Sequence, residues 1–228
     1  VVVGRVQEAG LFCPQYELVA KTSTFADSNV LRIEDEVTNM KGVPAEMELL
    51  YHCNFGEPFL QEGSKLSVAA AEVAPRDERA VEDLDSYEVY LGPTDGYVEQ
   101  VYWYDLLADE KGATLAMLHN AEANRALLLR FNKKELPAFT QWKNTASLAD
   151  GYVTGLEPAT DYPNGKAFER SKKRLINLLP GETHRASVQL EVLTTSEEIN
   201  NTQKEIDVLQ QQQDRIVHFK PIDKYSDI

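Results

Sequence analysis

The chain has 228 residues and carries 37 acidic against 23 basic side chains, a formal charge of −14. Such a surface repels phosphate backbones and anionic lipid, so neither nucleic acid nor a membrane is expected as a partner. No run approaches the roughly 18 apolar residues of a membrane span, and the length suits one large domain or two small ones.

Val1–Val6 and Gln15–Thr24 read as short strands around a Gly10/Pro14 turn. Val30–Val37 alternates apolar and charged residues, the pattern of a half-buried strand, and Asn39-Met40-Lys41-Gly42 closes it with turn chemistry. Pro44–Gly56 reads as the next strand, and Leu60–Val68 returns after a turn at Glu62-Gly63. Ala69–Tyr90 is acidic, with few large apolar residues, and reads as an exposed connection holding one helical turn.

Gly92-Pro93-Thr94-Asp95-Gly96 is a strong turn signal, and Tyr97–Leu107 follows as a strand rich in β-branched and aromatic residues. Ala113–Leu118 and Arg125–Phe131 are strands on either side of the loop His119–Asn124. Leu136–Lys143 contains Pro137 and then a strand ending in Gln141-Trp142-Lys143. Gly151–Gly155 leads into Leu156–Thr160, a loop follows at Pro163-Asn164-Gly165, and Lys172–Leu179 and Thr183–Leu193 read as a last strand pair. Roughly a dozen strands at regular spacing with turns between them are the signature of an all-β sandwich or barrel, here over residues 1–193. The tail, 194–228, differs. Thr195-Ser196-Glu197-Glu198 is a capping-box pattern, and Ile199, Ile206 and Leu209 form a thin apolar stripe on an amphipathic helix. That helix packs on the sandwich or pairs between the subunits of a homodimer.

Cys13 and Cys53 are too few for a disulfide framework and read as reduced thiols of a cytoplasmic protein. The first residue is Val, which fits a piece of a longer chain. Nucleotide-binding loops and a Gly-x-Ser-x-Gly elbow are absent, and His119, His184 and His218 are scattered, so no metal site and no cofactor are expected.

The chemistry concentrates in Leu49-Leu50-Tyr51-His52-Cys53-Asn54-Phe55-Gly56. Alternation along a strand puts Leu50, His52 and Asn54 on one face and Leu49, Tyr51 and Cys53 on the other. A lone strand histidine is more often a satisfied core residue than a working one. Glu157, between Leu156 and Pro158 in an otherwise apolar or small segment, is either capping a turn or held for work. Together the two make a candidate acid/base pair.

These residues carry a resemblance. The run Leu49–Gly56, followed by Pro58-Phe59-Leu60, resembles the histidine strand of the aldose 1-epimerases, the galactose mutarotase family. Gly155-Leu156-Glu157-Pro158-Ala159-Thr160 is similar to the segment carrying that family's catalytic glutamate, and most similar to an uncharacterised mutarotase-like branch. Glu99-Gln100-Val101-Tyr102 looks like the strand lining the sugar cleft, Leu136-Pro137 with Gln141-Trp142-Lys143 like the strand before the glutamate, and Asp35–Asn39 like a Val-x-Asn strand end. The segments follow the family's order over residues 30–190.

The resemblance implies an antiparallel β-supersandwich lacking its N-terminal part, which in the family supplies further strands and polar sugar contacts. It also implies an isomerase of carbohydrate metabolism that interconverts the α and β anomers of a small-molecule sugar without a cofactor. Glu157 would be the general base on the anomeric hydroxyl and His52 the general acid on the ring oxygen. Asn54 and Gln100 would bind hydroxyls, and Tyr102 and Trp142, with Gln141 beside them, would line the sugar's C–H face. Trp103, on the opposite face from Tyr102, reads as core. Two other readings share this fold: a carbohydrate-binding protein that has lost the chemistry, and a structural domain such as those appended to glycoside hydrolases. The catalytic reading requires His52 and Glu157 on one face within about 10 Å, because both must reach one sugar ring.

Overall fold

The computed structural model describes residues 1–227, and its strands follow the alternation of apolar and polar residues along the chain. In chain order they are β1 (Val2–Glu8), β2 (Tyr16–Ser23), β3 (Val30–Asn39), β4 (Ala45–Met47), β5 (Cys53–Phe55), β6 (Lys65–Val68), β7 (Ala70–Pro75) and β8 (Gln100–Leu106). There follow β9 (Ala113–His119), β10 (Ala126–Asn132), β11 (Ala138–Asn144), β12 (Val153–Ala159), β13 (Ile176–Leu178), β14 (Thr183–Leu193) and β15 (Ile216–Val217). The helices are α1 (Glu78–Val81), α2 (Lys166–Ser171) and α3 (Ser196–Gln210). Seven strands form one sheet in the order β1-β2-β3-β14-β10-β9-β6, and six form the other in the order β15-β7-β8-β11-β12-β5. The short β15 runs parallel to β7, and the remaining ladders in both sheets are antiparallel.

The two sheets pack face to face. Tyr102, Tyr104, Phe139 and Leu156 of the six-stranded sheet meet Leu66, Leu118, Leu129, Phe131 and Val188 of the other. Outside the seven-stranded sheet, α3 lays Ile199, Ile206 and Leu209 over Leu115, Met117, Leu128 and Leu193. Its start is fixed by the capping box: Glu198 N–H donates to Thr195 Oγ1 at 3.2 Å, and Thr195 N–H donates to the Glu198 carboxylate at 3.0 Å. Each buried aliphatic side chain contributes about 1.5–3 kcal/mol, so a thin stripe is enough to dock a helix with a polar outer face.

The outer face of the six-stranded sheet is only half covered. Tyr162, Ile222 and Tyr225 pack over Ala74, Trp103, Ala138 and Ala159. Trp103 is buried there, and its Nε1–H donates to Ser226 Oγ at 2.9 Å. Toward β5 the same face carries the exposed side chains of His52 and Asn54.

Three expectations about elements need correction. Residues 69–90 are no exposed connection: they contain β7, and Ala80, Leu84, Tyr87 and Tyr90 are buried. Glu78, Glu82 and Asp85 face water, Asp77 accepts the Ala80 N–H at 3.0 Å to start α1, and Glu72 and Glu88 are held in ion pairs, while the intervening apolar residues turn inward. Nor does the segment before Pro180 pair with β14. Lys172 caps α2, and β13 pairs with β4, while β14 lies between β3 and β10. The buried Asn39 side chain ties β13 down by donating to Leu178 O at 2.9 Å. Finally, Pro44–Gly56 is not one strand but β4 and β5, with Leu50 forming an isolated bridge to Ala159 between them.

Candidate active site

The site follows from register. In the β5–β12 ladder Phe55 faces Thr154, Asn54 faces Gly155 and Cys53 faces Leu156. Leu50 bridges Ala159, and Tyr51 N–H donates to Pro158 O at 3.0 Å. The same register therefore sets His52 opposite Glu157, and opposed residues of an antiparallel pair present their side chains on one face. On the other side of β12, Glu157 faces Thr140 and Gly155 faces Trp142; beyond β11, Thr140 faces Trp103 and Trp142 faces Val101. The outer face thus carries two rows: His52, Glu157, Thr140, Trp103, and next to it Asn54, Gly155, Trp142, Val101.

His52 Nε2 lies 3.1 Å from Glu157 Oε1, with the histidine side chain 46% exposed and the glutamate 4%. The contact is as short as a hydrogen bond but lacks its alignment, so the buried Oε1 keeps its acceptor capacity unsatisfied. Burial pushes the Glu157 carboxyl up to about 7, the nearby His52 pulls it down, and the charge of Glu99 pushes it up further. The His52 ring meets Trp142 in a T-shaped arrangement, centroids 5.4 Å apart at 67°. Gly155 makes this packing possible. A Cβ there would sit 2.5 Å from Glu157 Oε1, 3.1 Å from His52 Cε1 and 3.2 Å from Trp142 Cε3.

Beside this pair, Trp142 Nε1–H donates to Glu99 Oε2 at 2.6 Å. Glu99 Oε1 accepts from both terminal nitrogens of Arg76 at 3.1 Å, and Arg76 Nε donates to Asp77 Oδ2 at 2.8 Å. Arg76 is set next to Val101 by its own N–H, which donates to Val101 O at 2.9 Å.

Of the expected site residues, His52, Glu157, Trp142 and Asn54 lie on this one face. Gln100, Tyr102 and Gln141 do not, and their expected placement in the cleft is corrected. They face Lys143, Gln141 and Leu156 in register, which is the inner side of the sheet. Their polar groups are engaged there. Gln141 Nε2 donates to Tyr90 Oη at 2.8 Å and Tyr87 O at 3.1 Å, while its Oε1 accepts from Tyr104 Oη at 2.6 Å. Gln100 Nε2 donates to Arg79 O at 3.0 Å and Asp83 Oδ2 at 2.9 Å, and Tyr102 Oη donates to Ala80 O at 2.8 Å. Between them Lys143 is buried, its ammonium lowered to about 8 by desolvation and donating to Tyr87 O and Val89 O. Sequence reasoning missed Gly155, Glu99 and Arg76. The signal for the first two was present: Gly155 shares strand parity with Glu157, and Glu99 shares it with Val101, which faces Trp142.

Among the described residues no group of three or more His, Cys, Asp or Glu side chains lies close enough to hold a metal ion. No helix among them is long and apolar enough to cross a membrane.

A sequence-family profile described as a domain of unknown function (DUF4432) matches residues 1–192. No curated protein matches the chain. Among solved structures, a candidate aldose 1-epimerase from Klebsiella pneumoniae superposes with a TM-score of 0.94 at 30% identity over 96% of this chain. The chain spans 57% of that protein's length. A galactose mutarotase related enzyme from Lactobacillus acidophilus gives a TM-score of 0.60 at 12% identity, covering 84% of this chain and 67% of that one. A galactose mutarotase-like protein from Clostridium acetobutylicum gives 0.50 at 16% identity, covering 85% and 66%. At these last two identities the likeness is one of fold.

Proposed function

We propose, on the premise that this chain belongs to the family described as a domain of unknown function (DUF4432) and has the antiparallel β-supersandwich of the aldose 1-epimerase/galactose mutarotase-like superfamily, that it interconverts the α and β anomers of a sugar or sugar derivative. The observation that carries this reading is the buried Glu157 carboxylate set 3.1 Å from the half-exposed His52 imidazole on an open sheet face.

Anomer exchange only moves protons and turns one bond. Glu157 takes the proton of the anomeric hydroxyl while His52, as imidazolium, gives one to the ring oxygen. The bond from C1 to the ring oxygen breaks, leaving an open-chain aldehyde. After rotation about C1–C2, the ring hydroxyl attacks the other face of the carbonyl, and both protons return. The two oxygens involved share one carbon, so a donor and an acceptor in mutual contact can reach both at once. A base raised to about 7 is well matched to the task near neutrality, being ionised in part yet basic enough to accept the proton. The Trp142 indole beside His52 offers a flat apolar wall for the sugar's C–H face, and the exposed Asn54 carboxamide offers hydroxyl contacts across Gly155.

The test is polarimetry of a freshly dissolved single anomer. The wild type is expected to speed equilibration, and Glu157→Gln, nearly isosteric, to lower the rate constant by about 10²–10⁴-fold, the range typical of a general acid or base. Equal rates for the two would remove the catalytic reading and leave a carbohydrate-binding one, in which Trp142 and Asn54 hold the sugar unchanged.

A further inference from the structure

We infer that Glu99 is a positioning residue of this site: its carboxylate fixes the Trp142 indole, and the indole fixes the His52 ring over Glu157. The kinetic part of this inference rests on the anomer-exchange reading; its structural part does not.

Glu99 lies just before β8, and its side chain is 43% exposed, so burial does not hold it in place. Hydrogen bonds do. One oxygen takes the two terminal Arg76 nitrogens at 3.1 Å, and the other takes the Trp142 indole at 2.6 Å. Arg76 is held in turn by Asp77 at 2.8 Å. The carboxylate is therefore fixed by a forked guanidinium before it meets the indole. An indole has a single polar donor, and fixing it selects one orientation of the ring about its χ angles.

That orientation matters because of what stands at the other edge of the ring. His52 is 46% exposed, and its ring makes no aligned hydrogen bond among the described residues. Its supports on this face are the Glu157 contact at 3.1 Å and the T-shaped packing with Trp142, ring centroids 5.4 Å apart. With no side chain at Gly155, nothing else separates indole, imidazole and carboxylate. An indole free to swing would release the histidine sideways. The charges that face one another here are His52, before β5; Glu157 on β12; Glu99, before β8; and Arg76 and Asp77, after β7. Glu99 thus also sets a negative charge near the carboxylate that must lose and regain a proton.

The experiment compares wild type, Glu99→Ala and Glu99→Gln by three readouts: the anomerisation rate, the chemical shift of the His52 ring C–H protons, and acrylamide quenching of tryptophan emission. Trp103 is buried, so a change in quenching reports Trp142. For Glu99→Ala the expected results are a rate loss of about ten- to a hundredfold, stronger quenching, and His52 shifts moved toward those of a free imidazole. Glu99→Gln keeps an oxygen for the indole, so it should restore the His52 shifts and most of the lost rate. It should also move the acidic limb of the pH–rate profile downward, because the charge beside Glu157 is gone. Wild-type shifts and quenching in a folded Glu99→Ala protein would overturn the inference, as would a Glu99→Gln protein as damaged as the alanine variant. A wild type that does not speed anomer exchange would refute the proposed function alone, since shift and quenching still decide the role of Glu99. If Glu99→Ala fails to fold, Trp142→Phe, which removes the indole donor but keeps an aromatic ring, decides instead: unchanged His52 shifts there overturn the inference.

Discussion

The smallest change that separates site from scaffold is Gly155→Ala. The added methyl would sit 2.5 Å from Glu157 Oε1, where ordinary contact begins at 3.4 Å. The carboxylate oxygen must therefore retreat by about 0.9 Å, and the methyl's other close neighbours, His52 Cε1 and Trp142 Cε3, stand 3.1 and 3.2 Å from it and leave it little room to shift instead. Misplacing a reacting group by about 1 Å costs on the order of 10²-fold, so the anomerisation rate constant should fall by about 30–100-fold, or about 2–3 kcal/mol in the barrier. Stability should hardly change. Gly155 lies outside the left-handed region, so alanine brings no backbone strain there, and it gains about 0.4–1 kcal/mol from a less free unfolded chain. That gain works against the cost of the crowding. The assay is polarimetry on protein whose melting temperature is within a few degrees of wild type. A folded Gly155→Ala protein within about twofold of the wild-type rate would refute the reasoning that Glu157, placed as it is, does the chemistry.

Further expectations concern pH and the inner face. With Glu157 pushed up to about 7 and acting as the base, the rate should fall as pH drops below that value; a rate flat from pH 5 to 7 would argue against it. Burial also pushes Asp161 up to about 7, with Glu48 adding to the effect. Both carboxyls hold a proton in the fold at a pH where the unfolded chain has released it. Their contribution to stability is thus full below the unfolded values near 4 and is lost as pH rises through about 7. The melting temperature should accordingly be higher at pH 6 than at pH 8, and calorimetry showing the reverse order would contradict this. Gln141→Leu strips partners from Tyr90, Tyr104 and the Tyr87 carbonyl, so urea titration should show a loss of about 2–4 kcal/mol. The folded variant should nevertheless keep its anomerisation rate, because Gln141 faces away from the site.

What the sequence made legible was set by local chemistry. Turns at Gly92–Gly96 and at the loop before Arg125 separate real strands, and the capping box starts α3 where the pattern puts it. His52, Asn54, Trp142 and Glu157 are named by residue type and meet on one face because the ladder register aligns them. The errors share one source. Gln141 and Trp142 are adjacent on a strand and cannot line one surface, and Gln100 and Tyr102 share the parity of Gln141's and Lys143's partners. Carrying whole segments over by resemblance, without regard to strand parity, put three core side chains in the cleft. A buried glutamine ringed by tyrosine hydroxyls looks, in sequence, like a sugar ligand. Residues 69–90 were misread for the converse reason: a high density of carboxylates hid Leu84, Tyr87 and Tyr90, which depend on distant strands for burial. The pairing of β13 with β4 was likewise invisible, because a contact between such separated segments leaves no local trace.

The half-covered outer face has an evolutionary consequence. Along β11 and β12, Thr140, Trp142, Gly155 and Glu157 alternate with Phe139, Gln141, Lys143, Thr154 and Leu156, so two adjacent residues answer to different selective pressures. A saturation scan of these strands should show damage that alternates in kind, lost turnover at one position and lost abundance at the next. A lineage moving to a different sugar could rewrite the outer-face residues around Glu157 and Gly155 and leave the tyrosine-rich interior untouched. The same strand would diverge quickly on one side while standing still on the other.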